Sequence, residues 1–103
     1  MKIQLNTDKN IDGTEGLARI IEAKVEEGLR RFSDQITRIE VHLSDESGPK
    51  TGGDDKRCLL EARITGRQPM AVTHHAPSVD LAVDGAIEKL EHAITTALGK
   101  LER

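Results

Sequence analysis

From Val79 to Leu101 the chain sets an apolar residue on every turn of a helix: Val79, Val83, Ala86, Ile87, Leu90, Ile94, Ala97, Leu98 and Leu101. Steps of three and four residues place all of them on one stripe. At about 1.5 Å per residue the helix is about 36 Å long, the largest element in the chain. An apolar stripe of that length needs cover along its whole extent, so the rest of the chain must supply a matching surface. Ser78 stands where an N-cap belongs, and Pro77 before it stops the preceding segment from running on as helix.

The cover is written in alternating segments. Lys2–Thr7 turns Ile3 and Leu5 one way and Lys2 and Gln4 the other, as a half-buried strand does. Residues 36–44 point Ile39, Val41 and Leu43 inward, with Arg38, Glu40 and His42 outward. In residues 57–65, Cys58, Leu60, Ala62 and Ile64 share a face opposite Arg57, Glu61 and Arg63. Gly66–Pro69 is a turn, after which Met70 and Val72 begin a fourth strand. Between the first two strands, Leu17, Ile20, Ile21, Val25, Leu29 and Phe32 form the stripe of a first helix. Thr14 or Asp12 caps its start, and Asp12 with Glu15 fits a capping box. Gly28 falls on the buried side, which predicts close packing against the sheet.

The order is β-α-β-β-β-α. Strands with one apolar face and helices with one apolar stripe predict an α+β fold of two layers. A four-stranded sheet carries both helices on one face and leaves the other face wet. The pattern runs through residues 1–103 as one domain of modest core. Phe32 is the only aromatic residue, so that core is built from aliphatic side chains. Residues 45–56, DESGPKTGGDDK, form a long polar connection.

Composition removes several functions. No run approaches the ~20 apolar residues of a membrane span, and the opening MKIQLNTDKN lacks the apolar core of a signal peptide; a cytoplasmic location is expected. Cys58 is the only cysteine, which excludes an internal disulfide and a thiolate metal cluster, and its strand context predicts a buried thiol. A net charge of −3 argues against a dedicated DNA binder, and no half of the chain is strongly basic. Any surface for nucleic acid must therefore arise by folding.

Catalytic arrangements find little support. Ser44, Ser47 and Ser78 lie in turns or caps without a GxSxG elbow, Gly52-Gly53 lacks the Lys-Ser/Thr of a phosphate loop, and no paired carboxylates stand out. His74 and His75 are neighbours in a strand and point to opposite faces, so they do not chelate one metal; one is expected to pack and the other to be solvated. Neither an enzyme nor a cofactor is expected. The basic residues Lys24, Arg30 and Arg31 of the first helix and Lys89, His92, Lys100 and Arg103 of the second admit two readings. They keep the helices soluble and complement the helix C-termini, or they form a shared ridge of cations facing phosphates.

Several stretches carry a resemblance. MKIQLNT, TEGLARIIEAKVEEGL, ITRIEVHLSDESG, RCLLEARI and above all SVDLAVDGAIEKLEHAI are similar to the short ribosome hibernation-promoting factors and ribosome-associated inhibitors, also described as sigma-54 modulation proteins. The most specific piece is Asp80, Ala82, Val83, Asp84, Ile87, Lys89 and Leu90. The resemblance covers nearly the whole chain. It implies an architecture like that of double-stranded-RNA-binding domains and binding to the small ribosomal subunit through rRNA, in the channel used by mRNA and tRNA. It further implies translation shut down in stationary or stressed cells.

The ridge reading makes Lys24, Arg30, Arg31, Lys89, His92 and Lys100 candidate RNA contacts; of these the resemblance supports Lys89 and Lys100, which match it by position, and His92, which stands where a basic residue is common. Thr96 and Leu98 stand where the family often has lysines, so the second helix is poorer in cations than its relatives. The central connection is longer than in many members, and its Lys50, Lys56 and Arg57 are candidates to supply the missing phosphate contacts. Long members carry a second domain that pairs ribosomes; a chain stopping at Arg103 is expected not to do so by that route, and to be monomeric off the ribosome. The rival expectation is a protein-interaction module of the same fold that does not bind ribosomes.

Overall fold

The computed structural model describes residues 1–46 and 55–101, the last two of them as backbone only. The elements are β1 (Lys2–Thr7), α1 (Glu15–Gly28), β2 (Ile36–Asp45), β3 (Lys56–Ile64), β4 (Met70–Ala76) and α2 (Val79–Leu101). Their order is the β-α-β-β-β-α read from the sequence. The sheet runs β1-β2-β3-β4, with β1 parallel to β2 through α1 and the two hairpins antiparallel. Ile39, Val41 and Leu43 of β2 and Cys58, Leu60 and Ala62 of β3 are buried in one core with Ile21 and Val25 of α1, and with Val83, Leu90 and Ile94 of α2. Both helices therefore cover the same face.

β2 contains an irregularity that alternation alone does not reveal. Ile36 and Ile39 are three residues apart, yet both are buried. The register steps from Ile36↔Ile64 to Arg38↔Arg63, so Thr37 is an extra residue on its strand, and its hydroxyl donates to the Arg63 carbonyl at 3.2 Å. A bulge of this kind flips the parity of the strand and lets both isoleucines face the core.

The first helix departs from its expected form in four ways. It ends at Gly28, Leu29 leaves helical geometry (φ −115°, ψ 15°), and Arg30–Phe32 form a separate 3-10 turn that still buries Phe32. A three-residue step from Leu29 to Phe32 suits the tighter turn. Ile20 is not part of the buried stripe: it is 53% exposed, against 1% for Ile21. The four-residue steps Leu17, Ile21, Val25 and Leu29 define the inward line, and Ile20 lies about 100° away from Ile21 on the helix. The cap is Thr14, whose Oγ1 accepts from the Leu17 amide at 3.1 Å; the Asp12 carbonyl accepts from the Thr14 amide instead of forming a capping box with Glu15. Gly28 approaches the second helix and not the sheet, since a Cβ there would sit 2.4 Å from Ile87 Cγ2.

Ser78 caps α2 as expected: its Oγ accepts from the Leu81 amide at 3.2 Å and its carbonyl from the Ala82 amide at 2.9 Å. The two helices run in the same direction. Lys24 meets Asp80 and Asp84, Gly28 meets Ile87, and Arg31 meets Thr95, so each step along α1 matches a step along α2. Both helices start at the end of the molecule where β1, β2 and β4 finish. This upper end carries the helix N-termini, and the lower end carries their C-termini together with the first residues of β1 and β2.

Candidate nucleic-acid interface

Charge is sorted along this axis. Asp8, Asp12, Glu15, Asp45, Glu46, Asp55, Asp80 and Asp84 belong to the upper end together with the cations Lys56 and Arg57, while Lys2, Arg30, Arg31, Arg38, Arg63 and Arg67 belong to the lower end together with Glu27 and Asp34. For Glu15 and Asp80, in the first turns of α1 and α2, the placement suits the helix dipoles, which favour carboxylates at N-termini. The sorting gives a molecule of net charge −3 one basic end.

The basic residues singled out from the sequence are not gathered into one ridge. Lys24 Nζ lies 2.8 Å from Asp84 Oδ1 and 3.4 Å from Asp80 Oδ1, in the seam between the helices. The hydrogen bond that Lys24 donates to Asp84 raises the Lys24 pKa above its ordinary value, partly opposed by burial. Arg30 is exposed and paired with Glu27 one turn back. Arg31 donates to Thr95 Oγ1 at 2.7 Å, and its guanidinium carbon lies 4.7 Å from the centre of the Phe32 ring. Arg31 forms no ion pair among the described residues, and the stacking holds its charge at the surface.

Lys89 leaves α2 on the opposite side from α1 and donates to the Thr73 carbonyl of β4 at 2.9 Å. His92 is exposed one turn further along. Lys100 lies in the last described turn of α2 at the lower end. Lys50, Ser47, Gly52 and Gly53 of the central connection lie outside the described residues, as does Arg103.

Lys56 and Arg57 sit at the upper end, far along the strands from Arg30 and Arg31. Lys56 Nζ is 2.8 Å from Asp55 Oδ1 and 3.4 Å from Asp45 Oδ2. The Asp55 hydrogen bond is the main cause of its raised pKa. Arg57 Nε is 3.7 Å from Glu46 Oε1, which also meets His75 Nε2 at 2.8 Å. The two adjacent histidines divide as their strand requires. His75 is on the wet face, whereas His74 lies on the helix side, against the backbone of Gly85. Cys58 is fully buried beside them, and burial pushes its thiol up to about 12.

The sheet's wet face holds cations that the helix-centred reading did not single out. Strand register places Lys2 opposite Arg38 and Arg38 opposite Arg63, three cations in one row across β1, β2 and β3. The next row is Gln4, Glu40, Glu61 and Ala71; the third is Asn6, His42, Leu59 and Thr73; the fourth holds Ser44, Arg57 and His75. Alternation in the sequence assigns these residues to a face. Which of them stand side by side depends on the bulge at Thr37, and only pairing shows that.

A two-layer α+β protein, with parallel helices on one face of a mixed sheet and the other face open, is the class that this architecture defines. The profile of the family described as sigma 54 modulation protein / S30EA ribosomal protein matches residues 6–102, and the chain belongs to that family of ribosome-associated proteins. A comparison with curated protein sequences gave no match.

Two solved structures share the fold. The Protein Y N-terminal domain of Thermus thermophilus superposes with a TM-score of 0.73 at 21% identity, over 93% of this chain and 98% of that one. A ribosomal subunit interface protein from Coxiella burnetii gives 0.77 at 17% identity, over 96% and 99%. Among the described residues no helix is long and apolar enough to cross a membrane.

Proposed function

We propose that the chain is a non-enzymatic translation inhibitor that binds the small ribosomal subunit in the channel used by mRNA and tRNA and promotes hibernation under stress or in stationary phase. Membership of the ribosome-associated family over residues 6–102 carries this reading. The name of the Coxiella relative, a ribosomal subunit interface protein, agrees with it. The mechanism is steric. A compact wedge with extents of 48 × 26 × 20 Å fills the path of the RNA ligands, held by rRNA phosphates.

Single exposed ion contacts are weak, so affinity must be a sum of several and must fall as salt rises. Lys24, Arg30, Arg31, Lys56, Arg57, Lys89, His92 and Lys100 are the proposed contacts. Arg31 and Lys89 are the best placed, because among the described residues neither forms an ion pair with a carboxylate.

Co-sedimentation of the purified chain with small subunits at two salt concentrations tests the reading. Binding should be lost at the higher salt, and R30E/R31E/K89E should not bind while remaining folded. Absence of the wild-type chain from the subunit fraction at low salt would reject ribosome association. One observation favours the rival reading of a protein-interaction module: Lys24, Arg30, Lys56 and Arg57 each face a carboxylate within the chain. That module would stay at the top of the gradient at either salt.

A further inference from the structure

Like charges directly opposite one another across strands destabilise a sheet. Arg38 has a cation on each side, Lys2 from β1 and Arg63 from β3. Its relief within the chain is small: a hydrogen bond to Gln4 and an ion pair to Glu40 at 3.8 Å. Arg38 Nε is buried and has no hydrogen-bond partner among the described residues, a further cost. Lys2 and Arg63 are exposed, and neither has an ion pair among the described residues. The carboxylates Glu40 and Glu61 occupy the next row up, so they bound the cation row on one side only. Below it lies the basic end, with Arg31 in the 3-10 turn after the first helix and Arg67 donating to the Ala97 carbonyl at 3.0 Å.

We infer that the row Lys2, Arg38 and Arg63 is a phosphate-binding surface for RNA, separate from the helices, on the lower edge of the open sheet face. The inference rests on the ribosome-bound reading and adds a second contact face to it. Three strands about 4.8 Å apart give a row about 10 Å long, over which one nucleic-acid strand presents about three charges. A row of cations that costs the free protein stability is relieved when a polyanion lies over it. The helix dipoles do not account for it, because its residues are on the sheet face that carries no helix.

The test uses the full chain, small ribosomal subunits and two variants. K2Q/R63Q removes two charges and leaves the half-buried Arg38 in place. The slope of log K against log salt should fall by about 2. R63E puts a carboxylate opposite Arg38 and should do two opposite things: raise Tm by about 1–6 °C and weaken subunit binding about tenfold or more.

A merely structural row would not give gain of stability with loss of binding. If wild type binds and K2Q/R63Q keeps its slope, the sheet-face site is overturned and the broader reading stands. A drop in Tm for both variants also overturns it, since weaker binding would then follow from a weaker fold. If wild type itself does not bind, both readings fall together.

Discussion

His74 lies directly on the backbone of Gly85: a Cβ added to that glycine would sit 2.1 Å from His74 Cδ2 and 2.3 Å from Nε2. The contact fixes how closely α2 approaches β4, at the point where the strand hands over to the capped helix. Gly85→Ala should gain about 1 kcal/mol of helix propensity and lose more to the clash, for a net destabilisation of about 1–3 kcal/mol in urea unfolding. Adding His74→Ala should recover most of the loss, a coupling of about 1 kcal/mol or more. A stabilised Gly85→Ala would show that the helix floats free of the strand.

Adjacent isoleucines on α1 should respond in opposite ways. Ile21→Ala removes a fully buried side chain from the core and should cost about 2–5 kcal/mol. Ile20→Lys changes a side chain that is 53% exposed and should stay within about 0.5 kcal/mol of wild type. Thermal unfolding of the two variants side by side separates them; comparable losses would place Ile20 in the core after all.

Lys24 is held by Asp84 and Asp80, and freeing it should strengthen any contact with RNA. D80N/D84N removes two negative charges from the seam and returns one cation to solvent. Subunit binding should tighten and its salt slope should steepen by about 1. Stability should fall only by about 0.5–1 kcal/mol, as for a partly exposed ion pair. Unchanged binding would mean that Lys24 serves the fold alone.

Cys58 sets an alkaline limit. Its folded pKa of about 12 lies above the ordinary 9.0 because burial disfavours the thiolate. An unfolded chain releases the proton first. The stabilisation is therefore complete below pH 9.0 and is lost as pH rises towards 12, with a slope approaching about 1.4 kcal/mol per pH unit. The free energy of unfolding measured from pH 8 to pH 10.5 should decline more steeply in wild type than in Cys58→Ala. Parallel curves would show the thiol to be hydrated in the fold.

Ser78→Ala removes the side-chain acceptor that caps α2 at the Leu81 amide. The expected loss is about 1 kcal/mol, with little change on Ser78→Gly beyond a few tenths. Urea midpoints of the two variants give the comparison; an unchanged midpoint in Ser78→Ala would show that the hydroxyl does not hold the start of α2.

Much of this architecture was present in the order of residues. Period-two and period-3.6 patterns depend on local geometry, so the six elements, the two layers and the cap at Ser78 could be read directly. The resemblance carried by the stretch 78–94 led to the family that residues 6–102 match. Reading failed where two neighbours competed for one role. Ile20 and Ile21 are equally apolar, and only the line through Leu17, Val25 and Leu29 decides between them. Ile36 looked like one more residue of an alternating strand until the bulge at Thr37 turned it inward.

The candidate interface shows the same division more sharply. Which side chains are charged, and which face of each strand carries them, follows from sequence because alternation is a property of the strand itself. Their partners do not, because they come from residues far apart in the chain: Lys24 and Asp84, Arg57 and Glu46 across a connection, Lys2 and Arg38 and Arg63 across three strands. Covalent order dictates the periodicities. Strand register and helix packing, set by the fit of the whole core, decide which charges meet and which are left facing outward.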